Sequence, residues 1–386
     1  MNIGFDAKRA YQNNTGLGHY SRTLITSLAE FYPGNEYFLF APKLTDKFDT
    51  VTKKNIHPVT PEHFPSTVLT SAWRSKWVMK DIRKNNIDLY HGLSHEIPVN
   101  IHQGNIRSVV TMHDLIFERY PEQFKKIDVA IYRKKFRYAC AHADSIIAIS
   151  EQTKDDLVNM YSVPSEKISV CYQACNPIFE KIISPEERQL VRQRYQLPDQ
   201  YFLSVGSIIE RKNLLTICQA IHRMNDKLPH PLVVIGDGGK YKEAVKRYIA
   251  ENKLDGKIIF LNESIAAQAP GFKESTDFPA IYQMATALIY PSSFEGFGLP
   301  VLEALWSNTP VITSNVSCMP ETGGDAALYV SPLDDQQMAD AMLQVATDAK
   351  LADGMKKKGL LHAQRFSRQA TAAAVMEVYK KTCDVN

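Results

Sequence analysis

Short runs of apolar residues alternate along the chain with longer segments in which apolar residues recur every three or four positions. The short runs predict strands and the longer segments predict helices. The predicted strands are MNIGFD, IDLYHG, IRSVVTMHD, DSIIAIS and KISVCY in the first half, and YFLSVG, PLVVIG, KIIFLN, TALIYPS and PVITSN in the second. Regular alternation of strand and helix predicts parallel sheets with helices on both faces.

Four segments carry the clearest helical pattern. The segment HYSRTLITSLAEF places Tyr20, Leu24, Ile25, Leu28 and Phe31 on one face. The segments LTICQAIHRM and FPAIYQMA behave similarly, and SRQATAAAVMEVYKKTC predicts a terminal helix.

The strand-helix pattern restarts near Tyr201, after the polar stretch SPEERQLVRQRYQLPDQ. This restart predicts an α/β protein of two doubly wound, Rossmann-like domains that join within residues 176–200. We expect an N-terminal domain at 1–178, a C-terminal domain at 179–366 and the terminal helix at 367–386. Ligands of such folds bind at the carboxyl ends of the strands, so we expect the site in a cleft between the domains.

The composition supports two domains and excludes several classes of function. A chain of 386 residues is too long for one compact core. The net charge of +3 is not the strong basic field that nucleic-acid binding needs. Six scattered cysteines predict no disulfide framework, and Cys171 and Cys175 are expected to be small buried hydrophobes without a zinc site. With no signal peptide and no membrane-length apolar run, we predict a cytoplasmic protein.

The stretch PSSFEGFGLPVLEAL contains two glutamates, Glu295 and Glu303, on either side of a glycine-rich turn. Pro300 suits the first turn of a helix, PVLEALWS, that follows the strand TALIYPS. The preceding Leu299 cannot cap the helix, which leaves its first N–H groups available to an anion. Gly296 and Gly298 would let the backbone approach that anion closely.

The two glutamates then predict two further contacts. Glu303, expected in the first helical turn, could accept hydrogen bonds from a ribose diol. Glu295, ahead of the loop, could accept from hydroxyls beyond the phosphates. A nucleotide sugar combines ribose, diphosphate and a hydroxylated ring, whereas the alternative is a solvated loop with two surface glutamates.

Cations for a diphosphate are present in the segment SVGSIIERKNLLTI. The strand ends at Gly206, and Arg211 and Lys212 follow next to Asn213 at an expected helix start. Arginine binds phosphate oxygens in a bidentate manner, and lysine adds a compact charge. The alternative is an exposed Arg-Lys pair.

Two other groups are weaker candidates. Gly16 and Gly18 precede a helix in a pattern that lacks the third glycine of a nicotinamide site, although this loop could contact phosphate or sugar. His113 and Asp114 end a strand, where the imidazole could orient a sugar hydroxyl. His91 and His95 follow another strand end and could contact an acceptor, or could be structural.

With these residues in place, the chain strongly resembles the GT-B glycosyltransferases, specifically the large retaining family 4. The resemblance rests on six collinear segments, TGLGHYSR, TMHDLIFERYPE, AISEQTKDDL, VGSIIERKNL, FPAIYQMATALIYPSSFEGFGLPVLEAL and PVITSNVSCMPETGGDAALYVSP. Two positions depart from the pattern. Ser207 stands where some members carry arginine, and Asn308 stands where many have glycine, although asparagine tolerates a left-handed conformation.

The resemblance implies a role for each matching residue. Glu295 would contact the donor sugar, Glu303 the ribose, and Arg211 and Lys212 the diphosphate. The amides from Gly296 through Phe297 and Gly298 to Leu299 would contact phosphate and sugar. His113 would approach the donor sugar near the reacting centre, and the terminal helix would cross back onto the N-terminal domain.

The resemblance also implies retention at the anomeric carbon, for which we hypothesise a front-face displacement without a covalent intermediate. No D-x-D triplet is present, which agrees with catalysis by fixed cations and no bound metal. No cofactor is expected beyond the nucleotide-diphosphate sugar itself.

The first expectation for the donor is GDP-mannose, because HDLIFERYPE resembles mannosyltransferase-like members; a UDP-sugar remains open. The expected acceptor is a saccharide or lipid-linked saccharide in cell-surface polysaccharide synthesis. The basic, aromatic stretches SAWRSKWVMKDIRKN and FKKIDVAIYRKKFRYA could rest on the inner face of a membrane, or could be solvated helix faces with Trp73 and Trp77 packed inward. Alternatives are a non-hydrolysing nucleotide-sugar epimerase of similar fold, a nicotinamide-dependent oxidoreductase and a non-catalytic sensor.

Overall fold

A computed structural model describes residues 1–50, 53–63, 65–224, 227 and 230–384. The chain divides into two compact units, Met1–Cys175 together with Phe366–Asn386, and Asn176–Arg365. The bounds expected from the sequence, 178 and 366, lie slightly beyond these joins.

The first unit is built on a seven-stranded parallel sheet in the order β3-β2-β1-β4-β5-β6-β7. Its strands are β1 Asn2–Asp6, β2 Glu36–Phe40, β3 Ile56–Val59, β4 Leu89–Gly92, β5 Arg107–Met112, β6 Ser145–Ala148 and β7 Ile168–Val170. Its helices are α1 Lys8–Gln12, α2 Gly16–Phe31, α3 Thr70–Ala72, α4 Val78–Lys84, α5 Ile116–Arg119, α6 Lys126–His142, α7 Glu151–Tyr161 and the terminal α17 Arg368–Asp384. A π-helical turn, Trp73–Trp77, precedes α4.

The second unit contains a six-stranded parallel sheet in the order β10-β9-β8-β11-β12-β13. Its strands are β8 Phe202–Val205, β9 Leu232–Ile235, β10 Ile258–Phe260, β11 Ala287–Tyr290, β12 Val311–Ser314 and β13 Ala327–Val330. Its helices are α8 Pro185–Tyr195, α9 Leu214–Met224, α10 Lys240–Glu251, α11 Pro270–Lys273, α12 Phe278–Met284, α13 Leu299–Trp306, α14 Met319–Gly323, α15 Asp335–Thr347 and α16 Ala349–Ala363.

Both units confirm the doubly wound α/β prediction and all ten predicted strands. Three further strands, β2, β3 and β13, were not predicted from the sequence. The strand β3 lies at the sheet edge and contains Pro58, which is unusual within a strand. The strand β2 follows a turn at Pro33 and Gly34, and its apolar run YFLF was an available signal.

The polar stretch expected to join the domains is largely a helix. Its start at α8 is fixed by a capping box, in which the Ser184 hydroxyl accepts from the Glu187 amide and the Glu187 carboxylate accepts from the Ser184 amide. The spacing Ser-x-x-Glu, with Pro185 directly after Ser184, was the available signal. A second correction concerns Phe31, which is 37% exposed at the end of α2, while Tyr20, Leu24, Ile25 and Leu28 are buried as predicted.

The free cysteines of the chain include Cys171 and Cys175, and both are buried as the sequence analysis expected. Within the described residues, no helix combines the length and apolar character that crossing a membrane requires.

Each sheet has one point at which the strand order reverses direction. In the first sheet this point lies between β1 and β4, and in the second it lies between β8 and β11. Connections leave the two strands toward opposite faces there, which opens a crevice at their carboxyl ends. The positions of these two crevices decide which side chains can meet a ligand.

Candidate active site

The crevice of the second sheet brings together two of the segments singled out in the sequence. After β8, the chain passes Gly206 and forms a 3₁₀ turn, Glu210–Lys212. After β11, it runs through Ser292 and Glu295 to the start of α13. Because β8 and β11 are hydrogen-bonded neighbours, both loops emerge at the same edge of the sheet.

Glu295 lies between the two predicted cations. Its Oε1 is 2.7 Å from Nη1 of Arg211 and 3.5 Å from Nζ of Lys212. The side chains of Glu295, Arg211 and Lys212 are only 13%, 9% and 18% exposed. The three charges therefore interact with little screening by water.

Two hydroxyl groups complete this cluster. Ser292 donates to Glu295 Oε1 over 2.8 Å, and the Tyr290 hydroxyl donates to the same oxygen over 3.0 Å. Lys212 donates to the Tyr290 hydroxyl over 2.7 Å, with its ammonium 4.9 Å from the ring centre. All these contacts converge on Oε1, whereas Oε2 accepts no hydrogen bond from the described part of the chain. Oε2 is therefore available to a ligand.

The surroundings keep the Glu295 carboxyl ionised. Burial acts to raise its pKa, but Lys212 and Arg211 together with the Ser292 hydrogen bond outweigh burial, and the net pKa is lowered. Burial raises the pKa of Tyr290 well above its ordinary value, so this phenol stays neutral. The cluster accordingly holds two positive charges and one negative charge.

The loop around Glu295 is held by the segment that follows β12. The Glu295 carbonyl accepts from the Ser317 hydroxyl over 2.8 Å and from the Cys318 thiol over 3.0 Å. Thr322 donates to the carbonyl of Phe297. These bonds fix the backbone between the strand and the helix, so the position of Glu295 does not depend on a ligand.

Helix α13 begins one residue earlier than predicted. Gly298 takes the N-cap position with φ +96°, Leu299 is the first helical residue and Pro300 the second. No side chain caps the helix, as expected. A Cβ at Gly298 would lie 2.6 Å from the Met319 methyl group, so glycine is needed there for space as well as for its left-handed conformation.

Glu303 is consequently in the second turn of α13, and its expected place in the first turn was wrong. Its Oε2 accepts a 2.8 Å hydrogen bond from Tyr282 on α12. Burial raises its pKa to about 7, more than Tyr282 and Lys212 lower it. The Glu303 carboxyl therefore titrates near neutral pH, whereas Glu295 stays ionised, although both residues are glutamates of the same motif.

Gly206 provides the space into which Lys212 extends. Its φ is +136°, and a Cβ there would lie 2.7 Å from the Lys212 ammonium. The same turn continues through Asn213, whose φ is +54° and whose amide group donates to the Pro291 carbonyl over 2.8 Å. Asn308 has φ +56°, which confirms the left-handed asparagine predicted at that departure from the family pattern.

The predicted histidines form a second group, in the first unit. His113 is buried, bonds through Nε2 to the Leu93 carbonyl over 2.9 Å, and packs edge-on against Tyr20 and His95. Burial lowers its pKa to about 4, so the ring is neutral at pH 7. His95 has φ +65° and stacks on Phe136.

His91 has the structural role that the sequence analysis left open as its alternative, and it lies within β4, not after the strand as expected. It is fully buried, with Nδ1 2.6 Å from the Tyr379 hydroxyl and Nε2 2.8 Å from Thr111 Oγ1. Both ring nitrogens are engaged and no face is open to a ligand.

The remaining candidates lie nearby in the same unit. Asp114 accepts from the Ile116 amide over 3.1 Å. Gly16 and Gly18 form the first turn of α2, where Thr15 gives no side-chain cap. A Cβ at Gly18 would lie 2.0 Å from the Asn13 carbonyl oxygen, so the preceding loop can cross the helix closely only over glycine.

Sequence reasoning missed the neutral groups that organise the second-unit cluster. Tyr290 and Ser292 both precede the predicted glutamate in YPSSFE, and their place at a strand's carboxyl end was an available signal. Tyr282, Ser317 and Thr322 act across sequence separations of 20 or more residues, and nothing local marks them.

Two family models match the chain. "Glycosyltransferase Family 4" matches residues 14–177, and "Glycosyl transferases group 1" matches residues 187–362. The matched ranges include every predicted site residue. The chain belongs to glycosyltransferase family 4.

Relatives of this family 4 glycosyltransferase include two enzymes of O-antigen synthesis. The O-antigen chain mannosyltransferase B of Escherichia coli is 27% identical over 382 residues, covering 95% of this chain and 96% of that protein. The O-antigen chain mannosyltransferase RfbU of Salmonella typhimurium is 27% identical over 344 residues, covering 87% of this chain and 89% of that protein. The matched families are transferases, so the epimerase alternative gains no support.

Solved structures establish the GT-B fold. The sucrose-phosphate synthase of Thermosynechococcus elongatus aligns with a TM-score of 0.76 at 19% identity, over 99% of this chain and 98% of that one. Anabaena HepE in complex with UDP-glucose aligns with a TM-score of 0.71 at 15% identity, over 99% of this chain and 100% of that one. In the described residues of the family 4 chain, no cluster of His, Cys, Asp and Glu is arranged to hold a metal ion.

The elevated pKa of Glu303 predicts a pH-dependent stability. Because the folded state holds this proton more tightly than the unfolded chain, its stabilisation is complete below about pH 4.5 and is lost as pH rises through about 7. Between those values the wild-type chain should lose up to about 3 kcal/mol that Glu303→Gln retains. Urea unfolding across this pH range measures the difference. The exposed Glu251→Gln is the control, and parallel curves for wild type and Glu303→Gln would contradict the assignment.

Gly206→Ala should destabilise the second unit by about 1–3 kcal/mol, because the backbone would hold alanine at a positive φ and the added methyl group would displace Lys212. Gly354→Ala, where a Cβ meets open space on α16, should be neutral or slightly stabilising. Urea midpoints of both variants test this, and equal midpoints would show that the Lys212 position does not depend on Gly206.

Proposed function

We propose that this glycosyltransferase moves a hexose, with mannose from GDP-mannose as the first candidate, to a hydroxyl of a saccharide acceptor in cell-surface polysaccharide synthesis. The observation that carries the proposal is the cluster of Arg211, Lys212 and Glu295 at the crevice of the second sheet. The O-antigen mannosyltransferases among the relatives support mannose and the polysaccharide context.

Arg211 and Lys212 are proposed to bind the donor diphosphate. Glu295 balances only one of their two charges, so the cluster keeps a net positive charge for an anionic ligand. The uncapped N-terminus of α13, at Gly298 and Leu299, adds N–H groups and a partial positive charge. The two sources of charge lie on two neighbouring loops at one edge of the second sheet, as the leaving diphosphate requires.

The two glutamates are proposed to bind the two hydroxylated ends of the donor. Oε2 of Glu295 can accept from a donor-sugar hydroxyl while Oε1 stays bonded to the cluster. Glu303 can accept hydrogen bonds from the ribose hydroxyls, and because the ionised carboxylate is the better acceptor, ribose binding favours the ionised form. The pKa of about 7 places this change in ionisation near neutral pH. Donor affinity should therefore strengthen as pH rises through neutrality.

For the chemistry we propose retention by front-face displacement. The bond between the anomeric carbon and the leaving phosphate oxygen breaks, and the acceptor hydroxyl forms the new bond from the same face. The acceptor proton passes to the leaving diphosphate, whose growing charge Arg211 and Lys212 stabilise. His113, a neutral imidazole in the first unit, is proposed to bind a donor-sugar hydroxyl. The fixed cations are proposed to suffice without a metal ion.

The test is a thermal-shift screen of the full chain against UDP, GDP, ADP and their sugar conjugates in EDTA, followed by transfer assays with each donor that binds. A ligand of the native state raises the unfolding temperature. We expect a shift with one base and loss of at least about 100-fold in kcat for Lys212→Ala, with little change in stability.

Lys350→Ala, which removes an exposed lysine from α16, is the matched control and should keep full activity. A Lys212→Ala enzyme with near-normal kcat would refute the role of that residue. Absence of any shift with all three nucleotides would refute the nucleotide-sugar proposal, and activity only with added metal would refute metal independence.

We also propose peripheral contact with an anionic membrane through α6. Ile127, Ile131 and Tyr132 are 67%, 45% and 41% exposed on this helix. The neighbouring Lys125 and Lys126 are exposed as well. Apolar side chains next to lysines suit the interface of an anionic bilayer. Trp73 and Trp77 support no such contact, because Trp73 is buried and Trp77 packs against the core.

Full-length protein should therefore sediment with vesicles that contain phosphatidylglycerol, and much less with pure phosphatidylcholine. Ile131→Asp should reduce this binding several-fold, because it places a charge against the lipid. Ile182→Asp, at a 94% exposed position of the second unit, should not change it. Equal binding of both variants, or binding independent of lipid charge, would exclude this surface.

A further inference from the structure

The crevice of the first sheet, between the carboxyl ends of β1 and β4, gathers a second set of charged residues. Lys8 and Arg9 follow β1 directly. Ser94, His95 and Glu96 follow β4, and β1 and β4 pair through Phe5 and His91. The crevice is the place where a doubly wound sheet binds its ligand, and here both walls supply polar side chains.

One cation of this group is fully used by the protein. Arg74 donates to Asp6 through Nε over 2.8 Å and through Nη2 over 2.5 Å, and its Nη1 is 3.0 Å from Glu96. Lys135 also pairs with Glu96, over 3.0 Å. Asp6 is buried, and the Arg74 side chain is 14% exposed. The two carboxylates of the crevice are thus committed to Arg74 and Lys135.

Lys8 and Arg9 are left without a carboxylate. Neither makes an ion pair within the described residues, and both are partly exposed. The Nε of Arg9 is shielded from water and has no hydrogen-bond partner in the described part of the chain. The Ser94 hydroxyl, in a residue only 4% exposed, likewise lacks a partner there. Two positive charges and a buried hydroxyl therefore stand unsatisfied at one sheet edge.

The positive charge is concentrated and lies beside the histidines. Burial lowers the pKa of Lys8, Arg74 and Arg9 lower it further, and Asp6 and Glu96 offset only part of this change. Burial is also the main cause of the low pKa values of His95 and His113, and Arg9 contributes to both. Arg9 is thus close enough to act on both imidazoles, one of which we have assigned to the donor sugar.

We propose that Lys8 and Arg9 bind a phosphate group of the acceptor, so that the acceptor is a phosphate-bearing saccharide. This inference rests on the proposed glycosyl transfer, because it assigns the acceptor of that reaction. Phosphate suits the pair, since arginine offers a planar set of donors and lysine a compact charge for the second oxygen. The Ser94 hydroxyl can donate a further hydrogen bond.

The donor diphosphate does not account for this pair. Arg211 and Lys212 already provide two cations and an uncapped helix start for it in the second unit. A separate pair of cations at the crevice of the first sheet is instead what a second anionic group requires. Two kinds of acceptor could supply the phosphate group. One is a soluble sugar phosphate, and the other is a lipid-linked saccharide that carries a diphosphate.

The test is calorimetric titration of the full-length chain with inorganic pyrophosphate in EDTA at low ionic strength. Wild type should bind at two sites. Lys8→Gln/Arg9→Gln should weaken one site at least tenfold and leave the other, whereas Arg211→Gln/Lys212→Gln should have the complementary effect. Lys80→Gln/Arg83→Gln, which removes one exposed lysine and one exposed arginine from α4, is the matched control and should keep both sites.

The two double variants separate this inference from the donor assignment. If Lys8→Gln/Arg9→Gln binds pyrophosphate as wild type does, the inference is wrong, whatever happens at Arg211 and Lys212. If instead only the Lys8 and Arg9 site binds, the inference stands and the donor assignment fails. Urea unfolding of each variant shows whether lost binding reflects a lost fold.

A second arm identifies the source of the phosphate. Hexose 1-phosphate in solution and a polyprenyl diphosphate saccharide in detergent micelles are each titrated with wild type and Lys8→Gln/Arg9→Gln. A tenfold loss for one ligand names the source. If the pyrophosphate titration shows that Lys8 and Arg9 form an anion site, but wild type and Lys8→Gln/Arg9→Gln bind both of these ligands with equal affinity, the acceptor assignment is refuted.

Discussion

The site of the second unit depends on the contacts that Oε1 of Glu295 makes with both Arg211 and Lys212. Arg211 and Lys212 are adjacent in sequence and both extend into one poorly solvated crevice, where their charges repel. A single carboxylate oxygen between them lowers this repulsion and fixes both side chains before any ligand arrives. Such preorganisation matters for catalysis, because cations already in place need no reorganisation when charge develops on a leaving group. Gly206, Tyr290 and Ser292 each serve this arrangement, by giving space to the lysine or a hydrogen bond to the carboxylate.

The same motif contains a second glutamate with the opposite electrostatics. Glu295 is buried but surrounded by cations and donors, so it stays ionised. Glu303 is buried with one phenol as its hydrogen-bond partner, and its pKa rises to about 7. Glu295 lies in the loop before α13 and Glu303 lies in the second turn of this helix. Desolvation acts on both carboxyl groups, but only Glu295 has its counter-ions in contact. A ligand that donates two hydroxyls to Glu303 would supply what the protein omits.

The sequence was sufficient where local pattern determines the structure. Apolar runs located the ten predicted strands, the glycine-rich turn located an uncapped helix start, and Ser184 and Glu187 could have located α8. It was insufficient where distant contacts decide. His91 lies within β4 and His113 follows β5 directly. Only the contacts of His91 with Tyr379 and Thr111, both distant in sequence, show that its role is structural. The high pKa of Glu303 likewise depends on its burial in the folded unit, which no spacing in the motif reveals.

The two sheets answer the same electrostatic problem differently. At the crevice of the second sheet, one carboxylate is shared between two cations and retains a free oxygen, so the site can meet both an anion and a hydroxyl. At the crevice of the first sheet, Asp6 and Glu96 pair with Arg74 and Lys135, and neither Lys8 nor Arg9 forms an ion pair with any residue that the structure describes. Keeping a cation at this partly buried edge costs stability, because burial, followed by the charges of Arg74 and Arg9, lowers the pKa of Lys8. Lys8 and Arg9 lie at the binding edge of the sheet, while the nearby carboxylates pair with Arg74 and Lys135. This arrangement suits an anionic ligand at that edge.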